Sequence, residues 1–97
     1  MLRPVGEVGR DEGETLCRAV SAALGATGGG VLVDLRSTRH IHFRVAGALA
    51  RIGRGQRRLG LVGPTPYVRQ ILRVAGALEG ELPVYRTFRE AAGDRTA

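Results

Sequence analysis

The side chains best suited to chemistry lie close together in the middle of the chain, after an apolar run that ends near Asp34. The residues that follow it carry guanidinium and imidazole groups, at Arg36, Arg39, His40, His42 and Arg44. Guanidinium groups near the start of a helix are suited to binding carboxylates or phosphates. No Ser–His pair and no second carboxylate accompanies Asp34, so the segment predicts binding rather than catalysis. A salt bridge to one of the arginines is the expected role of Asp34.

Metal and thiol chemistry have less support in the sequence. His40 and His42 lie two residues apart and can share one face of an extended segment, as metal ligands do. No third ligand is visible beside them, so we predict neither a metal nor a cofactor. Cys17 flanks the apolar stripe of the first helix, where we expect a half-buried, inert thiol, with redox sensing as the alternative. A single cysteine cannot form an internal disulfide, which fits a reducing, cytoplasmic compartment.

Charge is unevenly distributed along the chain. The formal net charge is +6, and the fifteen basic residues are all arginine. No acid occurs between Asp34 and Glu79, whereas both histidines and nine arginines do: Arg36, Arg39, Arg44, Arg51, Arg54, Arg57, Arg58, Arg69 and Arg73. This middle region predicts a positive field that favours an acidic partner. A nucleic acid or an anionic surface is the alternative partner, although aromatic residues for base stacking make up 4% of the chain.

Hydrophobic periodicity predicts an α/β fold in β-α-β-α-β-α-β-α order. The predicted strands cover residues 1–8, 31–35, 59–62 and 82–85. The predicted helices cover 11–25, 43–56, 66–75 and 87–92, followed by a frayed tail at 93–97. This alternation implies a four-stranded, mainly parallel sheet in a single domain of residues 1–97. No apolar run approaches the roughly 20 residues of a membrane span.

Capping residues mark most of the predicted helix starts. The signatures are Asp11 with Glu14, Thr65 with Pro66, and Thr87 with Glu90. The second helix has no such signature, because no Ser, Thr, Asp or Asn occupies residues 42–44. We therefore expect uncapped N–H groups at its start, in a position to receive a carboxylate or phosphate.

Several segments together resemble the STAS domain of bacterial anti-sigma factor antagonists. They are Gly6-Glu7, V-L-V-D-L from Val31, Gly47, L-G-L-V-G-P-T-P-Y-V-R-Q-I-L from Leu59, and L-P-V-Y-R-T-F-R-E-A from Leu82. The resemblance implies a small STAS-like domain that binds an anti-sigma factor, often a serine-kinase-like ATPase. In that family the kinase phosphorylates a serine at the start of the second helix, and the phosphate ends binding.

The chain departs from the family pattern at the phosphorylated position. The pattern is an apolar residue, Asp-Ser, a small residue and Gly, whereas this chain has Ile41, His42, Phe43, Arg44 and Val45. Phe43 has no hydroxyl to accept a phosphate, and Ser37 and Thr38 lie too early in the loop to align. The resemblance thus implies an anti-sigma factor antagonist or a paralogue that cannot be phosphorylated in the usual way.

We predict that the partner docks on a basic corner with one aromatic anchor, formed by Arg36, Arg39, His42, Phe43 and Arg44. Packing of Phe43 into the interior is the alternative for that residue. Other functions remain open at this point: nucleic-acid binding, or the role of a STAS-like accessory subunit of a lipid-transport ATPase. Pairing of the first strand with a second copy of the chain also remains open.

Overall fold

The computed structural model describes residues 1–26, 30–55, 59–78 and 82–96. The elements are β1 (Gly6–Val8), α1 (Arg10–Ala26), β2 (Val31–Asp34), β3 (Thr38–Ile41), α2 (Phe43–Gly55), β4 (Leu59–Val62), α3 (Pro66–Val74), β5 (Val84–Tyr85) and α4 (Phe88–Thr96). The predicted α/β class is confirmed. No helix in the described ranges is long and apolar enough to cross a membrane.

The strands form two small parallel sheets rather than the predicted four-stranded one. One sheet has the order β2-β4-β5, and the other pairs β1 with β3. Hydrogen bonds of Leu2 to Leu32 and Asp34 link the start of the chain to the larger sheet. The segment of residues 1–8 therefore runs beside β2 first and beside β3 afterwards.

Strand β3 is the element that the sequence did not predict, because its residues are mostly polar. Thr38 is nevertheless fully buried, and its hydroxyl donates to the carbonyl of Pro4 over 2.8 Å. Ile41 is fully buried at the other end of the strand. Backbone pairing with β1, a satisfied hydroxyl and two buried β-branched residues thus hold this short strand in place.

The core lies between the helices and the larger sheet. Every residue of β4 is buried, and its register with β2 pairs Leu59 with Val31 and Leu61 with Val33. Helices α1 and α2 pack closely at Gly13, where any Cβ would overlap the side chain of Val45. Glycine at position 13 therefore allows α1 to lie close to the first turn of α2.

Helix starts agree with the sequence at two of the three predicted caps. The Thr65 hydroxyl accepts from the N–H of Val68 over 3.2 Å, and Thr87 accepts from the N–H of Glu90 over 3.1 Å. The Asp11 start is wrong, because α1 begins at Arg10 and the Glu12 carboxylate accepts from the N–H of Gly9. Helix α4 continues to Thr96, since an interior glycine costs only about 1 kcal/mol in a helix.

Candidate functional site

Phe43 opens helix α2 with its ring turned toward solvent. Its side chain is 54% exposed, so the alternative in which it packs into the interior is wrong. Its neighbours on either side of the strand–helix junction, Ile41 and Val45, are buried and anchor the backbone. The ring is therefore held at a fixed place on the surface.

Phe43 borders a shallow groove of about 210 Å³ between β3, the start of α2 and one face of α3. We call this the Phe43 groove; its lining residues are His40, Ile41, Phe43, Tyr67, Gln70, Ile71 and Val74. Tyr67 and Val74 are 59% and 64% exposed. The His40 and Tyr67 rings lie 5.7 Å apart between centroids, tilted by 31°. The groove is thus largely apolar and open to solvent.

Helix α3 supplies the second wall of the Phe43 groove. Its lining residues follow helical spacing, at Tyr67, Gln70, Ile71 and Val74. The adjacent face of the helix points inward, where Val68 and Leu72 are fully buried. Tyr67 and Val74 were missed as site residues. The available signal was that two large apolar side chains lie outside the core stripe of this helix.

His42 caps helix α2, which corrects the prediction of an uncapped start. Its Nδ1 accepts from the backbone N–H of Arg44 over 3.0 Å. Its carbonyl accepts from the N–H groups of Val45 and Ala46 over 2.9 and 3.1 Å. His42 therefore fills the N-cap role that Ser, Thr, Asp or Asn usually fill.

Arg36 is held by Asp34 at the end of β2. Its Nε and Nη2 each donate to a carboxylate oxygen of Asp34 over 3.0 Å, and its backbone N–H adds a third bond of 3.0 Å. The guanidinium carbon also lies 4.6 Å from the ring centroid of Phe88. Arg3 Nε lies 3.6 Å from the same carboxylate. The predicted salt bridge of Asp34 is confirmed, and we call these four residues the Asp34 cluster.

Electrostatics and close packing both support the Asp34 cluster. Asp34 is fully buried. The hydrogen bonds from the Arg36 side chain hold the pKa of Asp34 below its ordinary value, although burial acts in the opposite direction. Gly63, with φ +63°, leaves the space that the Arg36 stem occupies. The cluster therefore joins the end of β2 to the loop after β4 and to α4.

The five predicted site residues do not gather on one surface. Phe43 lines the groove, and Arg39 is exposed on β3 beside the groove residue His40. Arg36 belongs to the Asp34 cluster, and His42 serves as the cap. Arg44 lines a second groove, of about 690 Å³, between the first turns of α1 and α2. Of the predicted basic corner, Phe43 alone thus lines the Phe43 groove, while Arg39, His42 and Arg44 only neighbour its lining residues in sequence.

Cys17 lines the same second groove in a half-buried position, as predicted. Burial raises the pKa of its thiol, and the charge of Arg51 partly offsets this rise. A raised pKa leaves less of the reactive thiolate at neutral pH. Among the described residues, no three His, Cys, Asp or Glu side chains are grouped so that they could hold a metal.

Comparisons with known proteins add no support for the resemblance to the STAS domain, which depends on short segments of the sequence. No protein-family model matches the chain, and no curated protein matches it at a significant level.

Proposed function

We propose that the chain is a non-enzymatic protein-interaction module of the STAS type, an anti-sigma factor antagonist or a paralogue of one. Its partner is an anti-sigma factor or a serine-kinase-like ATPase that docks on the Phe43 groove. The observation that carries the proposal is the exposure of Phe43. At the position where the resembled family has its phosphorylated serine, this chain presents an apolar ring beside two other exposed apolar side chains.

The groove has the physical features of an interaction site. Aromatic side chains that are exposed before binding and buried afterwards provide most of the binding energy in many interfaces. Phe43 and Tyr67 are exposed aromatic side chains, and each lies in the first turn of a helix near a buried residue, Val45 or Val68. Because the backbone under both rings is fixed, little conformational entropy remains to be lost on binding.

Charge near the groove favours an acidic partner. Arg73 donates from Nη1 to Gln70 Oε1 over 3.2 Å at the groove edge, and the exposed Arg39 precedes the groove residue His40 in sequence. These arginines suit carboxylates that flank an apolar segment of the partner. The partner chemistry that fits best is therefore an apolar anchor with acidic residues on either side.

The usual phosphorylation switch has no acceptor at the aligned position, residue 43. Phe43 lacks a hydroxyl, and the buried hydroxyl of Thr38 is engaged with Pro4. The Ser37 hydroxyl accepts from Arg3 Nη2 over 3.2 Å. Binding is then constitutive, or is regulated through expression or through a different partner.

The test is affinity purification from the native host with wild-type and variant chains, followed by mass spectrometry. The variant Phe43→Ala/Tyr67→Ala removes both rings, whereas Phe43→Leu keeps an apolar side chain at the first position. Wild type and Phe43→Leu should enrich an anti-sigma factor or serine-kinase-like ATPase. Loss of one anchor of about 2 kcal/mol weakens binding about 30-fold, so the double variant should lose the partner.

Two further variants test the charge and the position of the resemblance. Arg39→Glu should weaken capture, while Arg18→Glu, an equal charge change at an exposed site on α1, should not. Phe43→Ser restores a hydroxyl and should gain a phosphate from the captured kinase and ATP, which wild type should not. Equal capture by Phe43→Ala/Tyr67→Ala would refute the proposal. So would DNA binding that falls steeply with salt in the absence of a protein partner, and capture of a transport ATPase would favour the accessory-subunit function.

A further inference from the structure

The outer edge of the first strand segment, residues 1–8, carries an alternating pattern of exposure. Met1, Arg3, Val5 and Glu7 are exposed, whereas the residues between them are half-buried, and Val8 is buried. Val5 is 73% exposed, which is unusual for a β-branched apolar residue within an ordered segment. The exposed residues thus alternate with residues that contact the rest of the chain.

The backbone groups of the even-numbered residues already have partners within the chain. Leu2 bonds to Leu32 and Asp34, and the Pro4 carbonyl accepts from Thr38. Gly6 donates to Ser37, and Val8 accepts from His42. Because the N–H and C=O of one peptide group point to opposite sides, the backbone groups of Val5 and Glu7 and the N–H of Arg3 point outward. Gly6 lies between them with φ +81°, and the register with β3 shifts between Gly6 and Glu7. No described strand pairs with that side of β1.

Two of the outward positions carry charges that usually keep an edge strand from pairing, but Arg3 and Glu7 are opposite in sign. Proline is a common way to block an edge, but Pro4 lies at an inward position, where its missing N–H leaves the outer side open. Glu7 has no side-chain hydrogen bond or ion pair among the described residues. Arg3 contacts Ser37 at 3.2 Å and Asp34 at 3.6 Å, and its exposed guanidinium has further donors.

We propose that this edge pairs antiparallel with the same edge of a second copy, in a two-fold homodimer centred on Val5. In that register Val5 lies opposite Val5 of the second copy, and Arg3 lies opposite Glu7 of the second copy on both sides of the axis. Each opposed pair exchanges two backbone hydrogen bonds. Registers centred on Arg3 or on Glu7 place like charges opposite each other, so the charge pattern selects the register on Val5.

The self-pairing is independent of the Phe43 groove, since the two surfaces share no residue. It joins identical segments in an isologous contact, which closes at two copies and does not propagate. The paired segment is short, so association depends on concentration.

Sedimentation velocity of the full chain over a concentration series tests the proposal. Wild type should shift from monomer to dimer as its concentration rises. Val5→Pro removes one outward N–H without touching the internal ladder, and Glu7→Arg places two guanidinium groups opposite each other, its own and that of Arg3 in the second copy. Each variant should raise the dimer dissociation constant about tenfold or more. Glu14→Arg, the same charge change on an exposed site of α1, and Phe43→Ala should leave it unchanged.

A mixing experiment separates specific pairing from general charge effects. Glu7→Arg and Arg3→Glu chains should each remain monomeric alone, but should form a mixed dimer, because every opposed charged pair is then complementary. Circular dichroism verifies that each variant is folded, and if Val5→Pro is not, the charge variants decide. Wild type that stays monomeric throughout the series, or a dimer insensitive to Glu7→Arg, overturns the proposal.

Discussion

Removing the Arg36 side chain should expose how strongly the Asp34 cluster depends on one ion pair. Arg36 donates three hydrogen bonds of 3.0 Å to a fully buried carboxylate and lies over the ring of Phe88. In Arg36→Ala the backbone bond can persist, but both guanidinium bonds are lost. Arg3, at 3.6 Å, remains the nearest cation to Asp34.

The expected loss of stability depends on which partner is removed, because the Asp34 carboxylate is buried and the Arg36 side chain is half-exposed. Leaving a buried charge without its partner costs about 3–5 kcal/mol. Arg3 compensates in part, so we expect about 2–4 kcal/mol at neutral pH. Asp34→Asn leaves the half-exposed Arg36 charge in contact with water and should cost less, about 1–3 kcal/mol. The double variant should cost clearly less than the sum, because the two residues form one interaction.

The difference in unfolding free energy between wild type and Arg36→Ala should depend on pH, because Asp34 is a titratable group. The folded-state pKa of Asp34 is lowered, so its contribution is fully present above the unfolded value of about 3.9 and is lost as pH falls through the lower folded value. In Arg36→Ala the largest cause of the lowered pKa of Asp34 is lost, so the folded pKa should rise toward its ordinary value. Ionisation of Asp34 should then add less stability to this variant than to wild type. The two chains should therefore converge in stability in acid and diverge toward pH 7.

Urea unfolding monitored by circular dichroism, at several pH values between 3 and 7, measures this difference. Taking the difference between wild type and Arg36→Ala cancels the titration of groups common to both chains. Arg18→Ala removes an exposed arginine that lies 3.9 Å from Glu14 and is the matched control, with an expected change below about 1 kcal/mol. A constant difference between wild type and Arg36→Ala across this pH range would refute the reasoning.

Three further predictions concern the residues that hold the site in place. His42→Ala should lower stability by about 1 kcal/mol, or about 4–8 °C in melting temperature, whereas His42→Asp should keep the cap and match or exceed wild type in a thermal melt. Gly63→Ala should destabilise by about 2 kcal/mol or more in urea unfolding, since a left-handed backbone is combined there with overlap on the aliphatic part of Arg36. Gly76→Ala is the control: its backbone is also left-handed but its Cβ would meet open space, so it should cost about 1 kcal/mol. Gly13→Ala should destabilise by overlap between helices, whereas Gly25→Ala, in open space on the same helix, should stabilise by about 0.5–1 kcal/mol; equal melting temperatures for these two variants would contradict the packing.

Local periodicity predicted the elements that pack by their own amphipathic pattern. The predicted ranges of α2 and α3 end within one residue of those observed, because their apolar residues repeat with helical spacing and Thr65 and Pro66 mark the second start. Strand β3 escaped prediction because its residues are mostly polar and its partners in β1 and at Pro4, 34 residues from Thr38, are distant in sequence. Such a contact leaves no signal in the surrounding residues.

The candidate site was predictable in type but not in composition. The exposed Phe43 could be proposed from its position at the junction of a strand and a helix. The role of His42 could not, since histidine is not among the preferred caps and its Nδ1 accepts here only because the local backbone brings it to the N–H of Arg44. Tyr67 became a neighbour of Phe43 through the packing of α3 against β3, which depends on tertiary structure.

The Asp34 cluster and the His42 cap lie at the two ends of the segment that positions Phe43. The cluster fixes the turn after β2, and the cap fixes the start of α2, with β3 paired to β1 between them. Loosening either end should therefore move the Phe43 ring relative to Tyr67 without removing either side chain. Partner binding should then fall in Arg36→Ala even though Arg36 lies outside the groove, and this loss should be smaller than that of Phe43→Ala. A binding loss in Arg36→Ala that equals the loss in Phe43→Ala would instead place Arg36 in direct contact with the partner.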